Sequence, residues 1–268
     1  MPNKYATVGG EATLVHYRGV TTLPERPPDT SQGPCVVCIH DAGASGQRFA
    51  SLLDALGENH SPIAYDQPGH GRSSGLDSLG SIDAMVNHLA SLVDLWDLPN
   101  CVLVGEGMGA QVALQYASRR PEQVVGLVLI GDVAPSGLDA EIAQLEKITT
   151  GKARREFNRN GYAPTTKREI YQEAFADWVK TDPRTTLGDR RAQRDWNAAD
   201  VTVPAIVIVG AHQDDESTQA ANQLAASVTD GSVRRIEDAG LNGVIETPQA
   251  VAAIVEECFG SSGDRGKS

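Results

Sequence analysis

Long apolar runs are missing from this chain of 268 residues, and none approaches the roughly 20 residues of a membrane-spanning helix. Residues 1–15 lack the basic and apolar regions of a secretory signal peptide, so we expect a cytoplasmic location. Basic residues are in the minority, with 23 Lys and Arg against 35 Asp and Glu and a net charge of −12. Because such a surface repels phosphate backbones and anionic lipid, we expect neither nucleic acid nor membrane partners.

Cysteine is scarce, and two of the four cysteines, Cys35 and Cys38, form a C-x-x-C spacing. That spacing occurs in redox and metal sites. Here it lies in the apolar segment GPCVVCIH, which predicts a strand, and residues three apart on a strand face opposite sides of a sheet. We therefore expect small buried thiols in a reduced compartment, and we predict no metal and no cofactor.

What the chain does contain is a regular alternation of short apolar segments with helical patterns. This alternation predicts an α/β fold, with a mostly parallel sheet covered on both faces by helices. The predicted strands are Tyr5–Val8, Ala12–Tyr17, Cys35–His40, Pro62–Asp66, Cys101–Gly105, Val124–Gly131, Ala205–Gly210 and Val233–Glu237. The predicted helices are Gln47–Leu56, Ser81–Leu95, Met108–Ser118, Thr218–Ser227 and Pro248–Cys258.

Residues 136–199 interrupt this alternation with charged, helix-favouring sequence that contains no candidate for a buried strand. We predict that they form a helical cap, or lid, inserted into a core domain made of residues 1–135 and 200–259. The aromatic residues of this insertion either line the lid or pack it onto the core. The small polar residues 260–268 predict a flexible tail.

The segment CVLVGEGMGAQVA, residues 101–113, holds an apolar strand, a glycine-rich turn and the start of a helical pattern. This is the context of the nucleophile elbow, Gly-x-Ser-x-Gly. The central position should carry Ser, Cys or Asp, but it is Gly107, which has no side chain. We therefore predict that no acyl-enzyme forms at this position.

Five segments in order resemble the motifs of the α/β-hydrolase superfamily, over nearly the whole chain from Ala6 to Phe259. The resemblance implies an α/β-hydrolase fold with a cap. The segments are HDAGASG at residues 40–46 (the oxyanion loop), DQPGHGRS at 66–73, the elbow at 104–110, VP before IVIVG at 203–210, and DAG with ETP at 238–240 and 246–248.

All three catalytic positions implied by the resemblance are substituted. The nucleophile position is Gly107, the acid position is Gln213 and the base position is Leu241. After Val209 the only histidine is His212, so no shift of the alignment restores the usual base. We expect no hydrolysis by a Ser-His-Asp triad, because its members act as a unit.

The resemblance also implies an oxyanion hole beside Gly107, built from the backbone N–H groups of Ala42 and Met108. Such donors do not depend on the missing side chains, and they could bind a carbonyl or stabilise an enolate. We therefore predict a cofactor-independent lyase, decarboxylase, cyclase or isomerase that acts on a small carbonyl compound. Secondary metabolism is one setting for such an enzyme.

Four residues are candidates for proton transfer, each with a structural alternative. Asp132 follows a strand at the ligand-binding edge of the sheet, where it could instead cap a turn. His212 lies in the loop that holds the acid in relatives, but it could be a surface residue. Glu106 precedes the elbow tip and could be a buried structural carboxylate. Asp41 replaces a glycine of the oxyanion loop, where it could make a loop hydrogen bond.

Two other functions remain open. The chain could be a catalytically inactive pseudoenzyme that senses a ligand or binds a partner, or it could be a hydrolase with a relocated catalytic set. An enzyme predicts at least one carboxylate or imidazole aimed at the oxyanion hole. His70, in the turn after the fourth strand, is expected to make local hydrogen bonds only.

Overall fold

The sheet of this protein contains all eight predicted strands. The computed structural model describes residues 2–23, 26–197 and 200–260. The sheet order is β1-β2-β4-β3-β5-β6-β7-β8, with β1 and β2 antiparallel to their neighbours and the rest parallel. The strands are β1 (Asn3–Val8), β2 (Glu11–Tyr17), β3 (Cys35–Ile39), β4 (Ser61–Tyr65), β5 (Cys101–Glu106), β6 (Val124–Ile130), β7 (Ala205–Gly210) and β8 (Gly231–Ile236).

The five predicted helices of the core are also present, with small corrections at their starts. The first begins as a 3₁₀ turn, Gly46–Phe49, before its α-helical part. The helix predicted from Thr218 begins three residues earlier, because the Asp214 carboxylate caps it by accepting the Ser217 N–H at 2.7 Å. The helices are α1 (Ala50–Leu56), α2 (Ile82–Leu95), α3 (Met108–Arg119), α4 (Leu138–Thr149), α5 (Arg168–Trp178), α6 (Pro183–Arg194), α7 (Asp215–Ser227), α8 (Gly243–Glu246) and α9 (Pro248–Phe259).

The core lies in two layers, one on each face of the sheet. One layer packs β-strand side chains against α2, α3 and α7, and the other packs them against α1 and α9. Cys35 belongs to the first layer and Cys38 to the second, and both are buried. The prediction that these two thiols face opposite sides of the sheet is confirmed, so they cannot act as a pair.

In the described stretch between β6 and β7 lie the helices α4 to α6, and we refer to residues 136–197 as the cap. α4 and α6 share a small apolar cluster of Ile142, Leu145 and Leu187. Ala198 and Ala199, at the end of the predicted insertion, and residues 261–268 of the predicted tail lie outside the described residues. No helix in the described part of the chain is long and apolar enough to span a membrane.

Candidate active site

The turn between β5 and α3 has the strained geometry that an elbow needs. Gly107 has φ 53° and ψ −114°, and its N–H donates to the Ile130 carbonyl at 2.9 Å. A residue with a Cβ atom in this backbone region carries about 1–3 kcal/mol of strain. Gly109 lies so close to the backbone of Ile39 that a Cβ atom would collide with it. The scaffold of the elbow is therefore intact.

The carboxylate of Asp41 lies at the tip of this elbow. Its Oδ1 accepts a hydrogen bond from the backbone N–H of Met108 at 2.8 Å. A Cβ atom built on Gly107 would collide with the same carboxylate group. About 30% of the Asp41 side chain remains exposed, and the residue lines a cavity beneath the cap. A carboxylate from the oxyanion loop thus fills the space beside the tip, where a side chain on residue 107 would begin.

This arrangement differs from the expectation of two open oxyanion donors. The Met108 N–H already has an acceptor within the protein, Asp41. The Ala42 N–H has no acceptor among the residues that the structure describes, and Ala42 lines the cavity. One of the two expected donors is therefore available to a ligand in this conformation.

Glu106 lies beneath the elbow in a buried ion pair. Its Oε2 is 2.5 Å from Nε of Arg48, and Nη2 of Arg48 also donates to Oδ1 of Asn242 at 2.5 Å. Burial raises the pKa of Glu106 even though the Arg48 charge opposes the shift. This carboxylate contacts Arg48 and does not line the cavity, which favours its structural alternative.

Asp132 follows β6 and does not line the cavity. Burial raises its pKa to about 6, and the negative charges of Asp41 and Asp214 add to the shift. A carboxyl group with this pKa is partly protonated near neutral pH. The charge of Asp41 therefore acts on the carboxyl group of Asp132.

The loops of Gln213 and Leu241, the positions implied for an acid and a base, are held by hydrogen bonds within the protein. His212 is exposed, and its backbone N–H donates to the Ala239 carbonyl at 3.0 Å. The Gln213 side chain accepts the Gly210 N–H at 3.2 Å, and the Leu241 N–H donates to Gly161 at 2.6 Å. None of His212, Gln213 and Leu241 lines the cavity, so the structure does not bring His212 to the elbow.

A cavity of about 600 Å³ separates the core from the cap. Its walls include the loop 41–44 of the core and residues of α4, α5, α6 and the segment 155–162 of the cap. Arg190 of α6 connects the wall to the elbow: it donates to Glu141 at 2.9 Å and to Gln193 at 2.5 Å, and Nη1 lies 3.5 Å from Oδ1 of Asp41. The sequence gives no sign of this role for Arg190, because a charged residue in a charged helix carries no signal of burial.

Two buried cap carboxylates hold the loop that carries Asp41. Asp177 of α5 accepts both the N–H of Ser45, at 3.1 Å, and its hydroxyl, at 2.5 Å. Asp189 of α6 accepts the Gly43 N–H at 3.2 Å and lies 2.8 Å from Nε2 of His70. The cap therefore docks directly on the oxyanion loop, through contacts between residues far apart in sequence.

His70 carries a positive charge in this docking contact. Its two ring nitrogens face the carboxylate of Asp189 and the carbonyl of Pro68, which are both acceptors, so each nitrogen must donate. Burial acts to lower the pKa of His70, but Asp189 outweighs it and the pKa is raised. The neighbouring His40 is neutral, because burial and the His70 charge lower its pKa to about 4. His70 thus does more than the expected local hydrogen bonding.

Comparison with known proteins gives the same fold over nearly the whole chain. The sequence model of the alpha/beta hydrolase family matches residues 36–254. Monoacylglycerol lipase ABHD6 of Homo sapiens is 26% identical, over 95% of this chain and 84% of its own length. A putative carbamate hydrolase, RutD, of Variovorax paradoxus is 37% identical over a shorter match, which covers 37% of this chain and 38% of that protein.

Solved structures with low identity superpose well on this one. An esterase of Thermogutta terrifontis has a TM-score of 0.78 at 17% identity, covering 96% of this chain and 97% of that chain. An enol-lactonase of Burkholderia xenovorans has a TM-score of 0.75 at 21% identity, covering 94% and 98%. At these identities the likeness concerns the fold, and the chemistry has to be argued from the site.

Proposed function

The chain belongs to the alpha/beta hydrolase family, and we propose that it uses this fold for proton transfer on a small carbonyl compound rather than for hydrolysis. In this proposal the substrate lies in the cavity beneath the cap with its carbonyl oxygen against the Ala42 N–H. Asp41 then removes or returns a proton beside that carbonyl. The reaction is that of a cofactor-independent lyase, decarboxylase, cyclase or isomerase, with no covalent bond to residue 107.

The observation that carries this proposal is the position of the Asp41 carboxylate. Its contacts with the Met108 N–H and with Arg190 fix its orientation, and its partial exposure leaves it open to the cavity. A general base needs both a fixed position and access to the substrate. The negative charge that develops on the substrate oxygen would be stabilised by the Ala42 N–H.

Asp132 supports the proposal as a second titrating group. Its pKa of about 6 arises from burial and from the negative charges of Asp41 and Asp214. Near neutral pH the Asp132 carboxyl group therefore retains part of a proton, which a site that moves protons can use without a histidine.

Hydrolysis by a relocated catalytic set finds little support in the site. No histidine is found among the described residues that line the cavity. His40 and His70 are buried, and their ring nitrogens are engaged with Asp41, Gln67, Pro68 and Asp189. A nucleophile at the elbow would therefore lack the histidine base of a Ser-His-Asp mechanism.

A ligand-binding protein without catalysis is the second candidate, and one observation favours it. The Met108 N–H, which would stabilise an oxyanion, is already satisfied by Asp41. A pocket that only binds a ligand does not need the Met108 N–H, whereas an enzyme would have to stabilise an oxyanion with the Ala42 N–H alone. The two candidates differ in whether bound carbonyl compounds exchange their protons.

The proposal is tested by exchange of protons with the solvent. The protein is incubated in D₂O with a panel of small ketones and short oxo acids, and ¹H NMR follows the loss of the signals from protons next to the carbonyl. We expect accelerated exchange for at least one compound, and about a hundredfold loss of that acceleration in Asp41→Asn. Asp238→Asn makes the same change at an exposed position and should exchange normally.

Two results would contradict the proposal. Exchange at the wild-type rate in Asp41→Asn would remove Asp41 from the reaction. Binding of the panel compounds by the wild-type protein with no exchange above that in buffer would favour the ligand-binding protein.

A further inference from the structure

Arg155, in the cap segment between α4 and α5, is held rigidly at the wall of the cavity. Its guanidinium lies 3.9 Å from the centre of the Trp178 ring, close enough to stack on it. Nη1 donates to the Thr181 carbonyl at 2.7 Å, which fixes the rotation of the group. A guanidinium held in this way loses little further entropy when it binds a planar partner.

The charge of Arg155 is not matched by a carboxylate. No carboxylate of the described residues lies within 4.0 Å of its guanidinium, and its buried Nη2 has no hydrogen-bond partner there. Burial lowers its pKa, although the charge of Asp182 opposes the shift. A partly buried charge with no carboxylate in contact and with an unused N–H group is costly unless a ligand compensates it.

The two other arginines at the cavity are already paired. Arg48 binds Glu106, and Arg190 binds Glu141 and approaches Asp41. The charges of Arg48 and Arg190 are therefore already compensated by carboxylates of the protein. Among the arginines of the described cavity wall, Arg155 alone is left with its charge open to a ligand.

We infer that Arg155 binds a carboxylate of the substrate, which makes the substrate a small oxo acid rather than a simple ketone. This inference rests on the proposed function for the carbonyl half of the molecule. Arginine offers parallel N–H groups that match both oxygens of a carboxylate. Phe157 and Trp178 lie in edge-to-face contact beside Arg155 and give the carbon skeleton an apolar wall.

The volume of the cavity agrees with a ligand of this class. A cavity of about 600 Å³ falls in the range of small-molecule sites. Both Asp41 and Arg155 line it, one on the core side and the other on the cap side. An oxo acid would therefore bridge core and cap, with its carbonyl at the elbow and its carboxylate under the cap.

The test compares acids with their neutral esters. Ligand-observed NMR titrations measure the binding of 2-oxobutyrate, acetoacetate and levulinate, and of the methyl ester of each. We expect at least one acid to bind the wild-type protein about tenfold or more tighter than its ester, since a hydrogen bond to a charged group contributes roughly 1.5–3 kcal/mol. Arg155→Gln should abolish that preference.

Two further variants control for folding and for charge. Arg159→Gln removes an arginine of the same segment that lies over the Tyr171 ring but does not line the cavity, so the acid preference should survive. Arg155→Lys keeps the charge without the planar group, and it should retain only a reduced preference. It also provides a readout if the glutamine variant fails to fold.

Several outcomes would overturn the inference. They are equal binding of acids and esters to the wild-type protein, binding of neither, or a preference that is undiminished in Arg155→Gln or Arg155→Lys. The proposed function fails separately. If acids are preferred but never exchange their protons, the proton-transfer proposal falls alone; if neutral ketones exchange as well as the acids do, only the carboxylate site falls.

Discussion

Oδ2 of Asp189, on cap helix α6, lies 2.8 Å from Nε2 of His70 in the core, and both side chains are almost fully buried. Asp189 also accepts the N–H of Gly43, two residues from Asp41. Burial opposes the charge of each partner, but each holds the other ionised: the pKa of His70 is raised and that of Asp189 is lowered. One ion pair thus joins the cap, the turn after β4 and the oxyanion loop.

Asp189→Asn should destabilise the protein most between about pH 4 and pH 6.5. Because the pKa of His70 is raised in the folded protein, protonated His70 stabilises the fold fully below the ordinary histidine pKa, near 6.5. This stabilisation is lost as the pH rises through the raised pKa. Because the pKa of Asp189 is lowered in the folded protein, ionised Asp189 stabilises the fold above about pH 4, and this stabilisation is lost as the pH falls. We expect a loss of about 3 kcal/mol at pH 6 in urea unfolding, and a smaller loss at pH 9.

Asp139→Asn is the matched control for that prediction. Asp139 lies on cap helix α4, and its side chain is 88% exposed, so its replacement should change the free energy of unfolding very little. Equal losses in the two variants, or a loss in Asp189→Asn that does not vary with pH, would contradict the ion pair described above.

The pKa of Asp132 should fall when Asp41 loses its charge. Because burial and the charge of Asp41 raise that pKa to about 6, Asp41→Asn removes one of the causes. Carboxyl ¹³C NMR titration of the two proteins measures the shift directly. A pKa of Asp132 that is the same in both would show that the two carboxyl groups are not linked.

Asp132→Asn should stabilise the protein above pH 6 and have little effect below pH 4. A raised pKa means that the folded state disfavours the charged carboxylate, so stability is lost as the pH rises from about 4 through 6. Allowing for solvent screening of this half-buried group, we expect a gain of about 1 kcal/mol at pH 7 in urea unfolding. A loss of stability at that pH would indicate a hydrogen-bonding role instead.

Gly107→Ser should destabilise the fold without producing an esterase. Residue 107 has a backbone conformation that is strained for serine, and the new side chain would collide with Asp41. Strain and overpacking together should cost about 3 kcal/mol of unfolding free energy. Asp41→Gly in the same chain removes the collision and should restore about 1 kcal/mol, measured as a double-mutant cycle.

Neither of these serine variants should hydrolyse p-nitrophenyl acetate, because Leu241 occupies the base position and no histidine lines the described wall of the cavity. Measurable turnover of that ester would contradict the assignment of the base position. Additive destabilisation by the two substitutions would show that Asp41 and residue 107 do not compete for space.

Thiol labelling should distinguish one cysteine from the other three. Cys35, Cys38 and Cys101 are buried, and burial raises the pKa of Cys38, whereas Cys258 is half-buried on α9. We expect DTNB to label Cys258 alone in the native protein, and all four after unfolding. Labelling of the native protein should therefore disappear in Cys258→Ser. Rapid labelling of Cys35 or Cys38 in the native protein would contradict their burial.

The sequence predicts the scaffold better than it predicts the site, for physical reasons. Strands and helices follow local periodicity, so the eight strands and the opposite faces of Cys35 and Cys38 could be predicted. The reach of Asp41 to Met108 depends on the path of one loop and one side-chain rotamer. The contacts of Asp189 and Arg155 join segments far apart in the chain, and such long-range pairs leave no periodic pattern.

The docking of Asp177 and Asp189 on the oxyanion loop makes the position of Asp41 depend on the cap. The hydrogen bonds to Gly43 and Ser45 hold the loop that carries Asp41. A movement of the cap that broke these bonds would therefore also release the Asp41 carboxylate from its place at the elbow. The geometry of the elbow and the position of the cap are thus coupled, although they lie in segments far apart in the sequence.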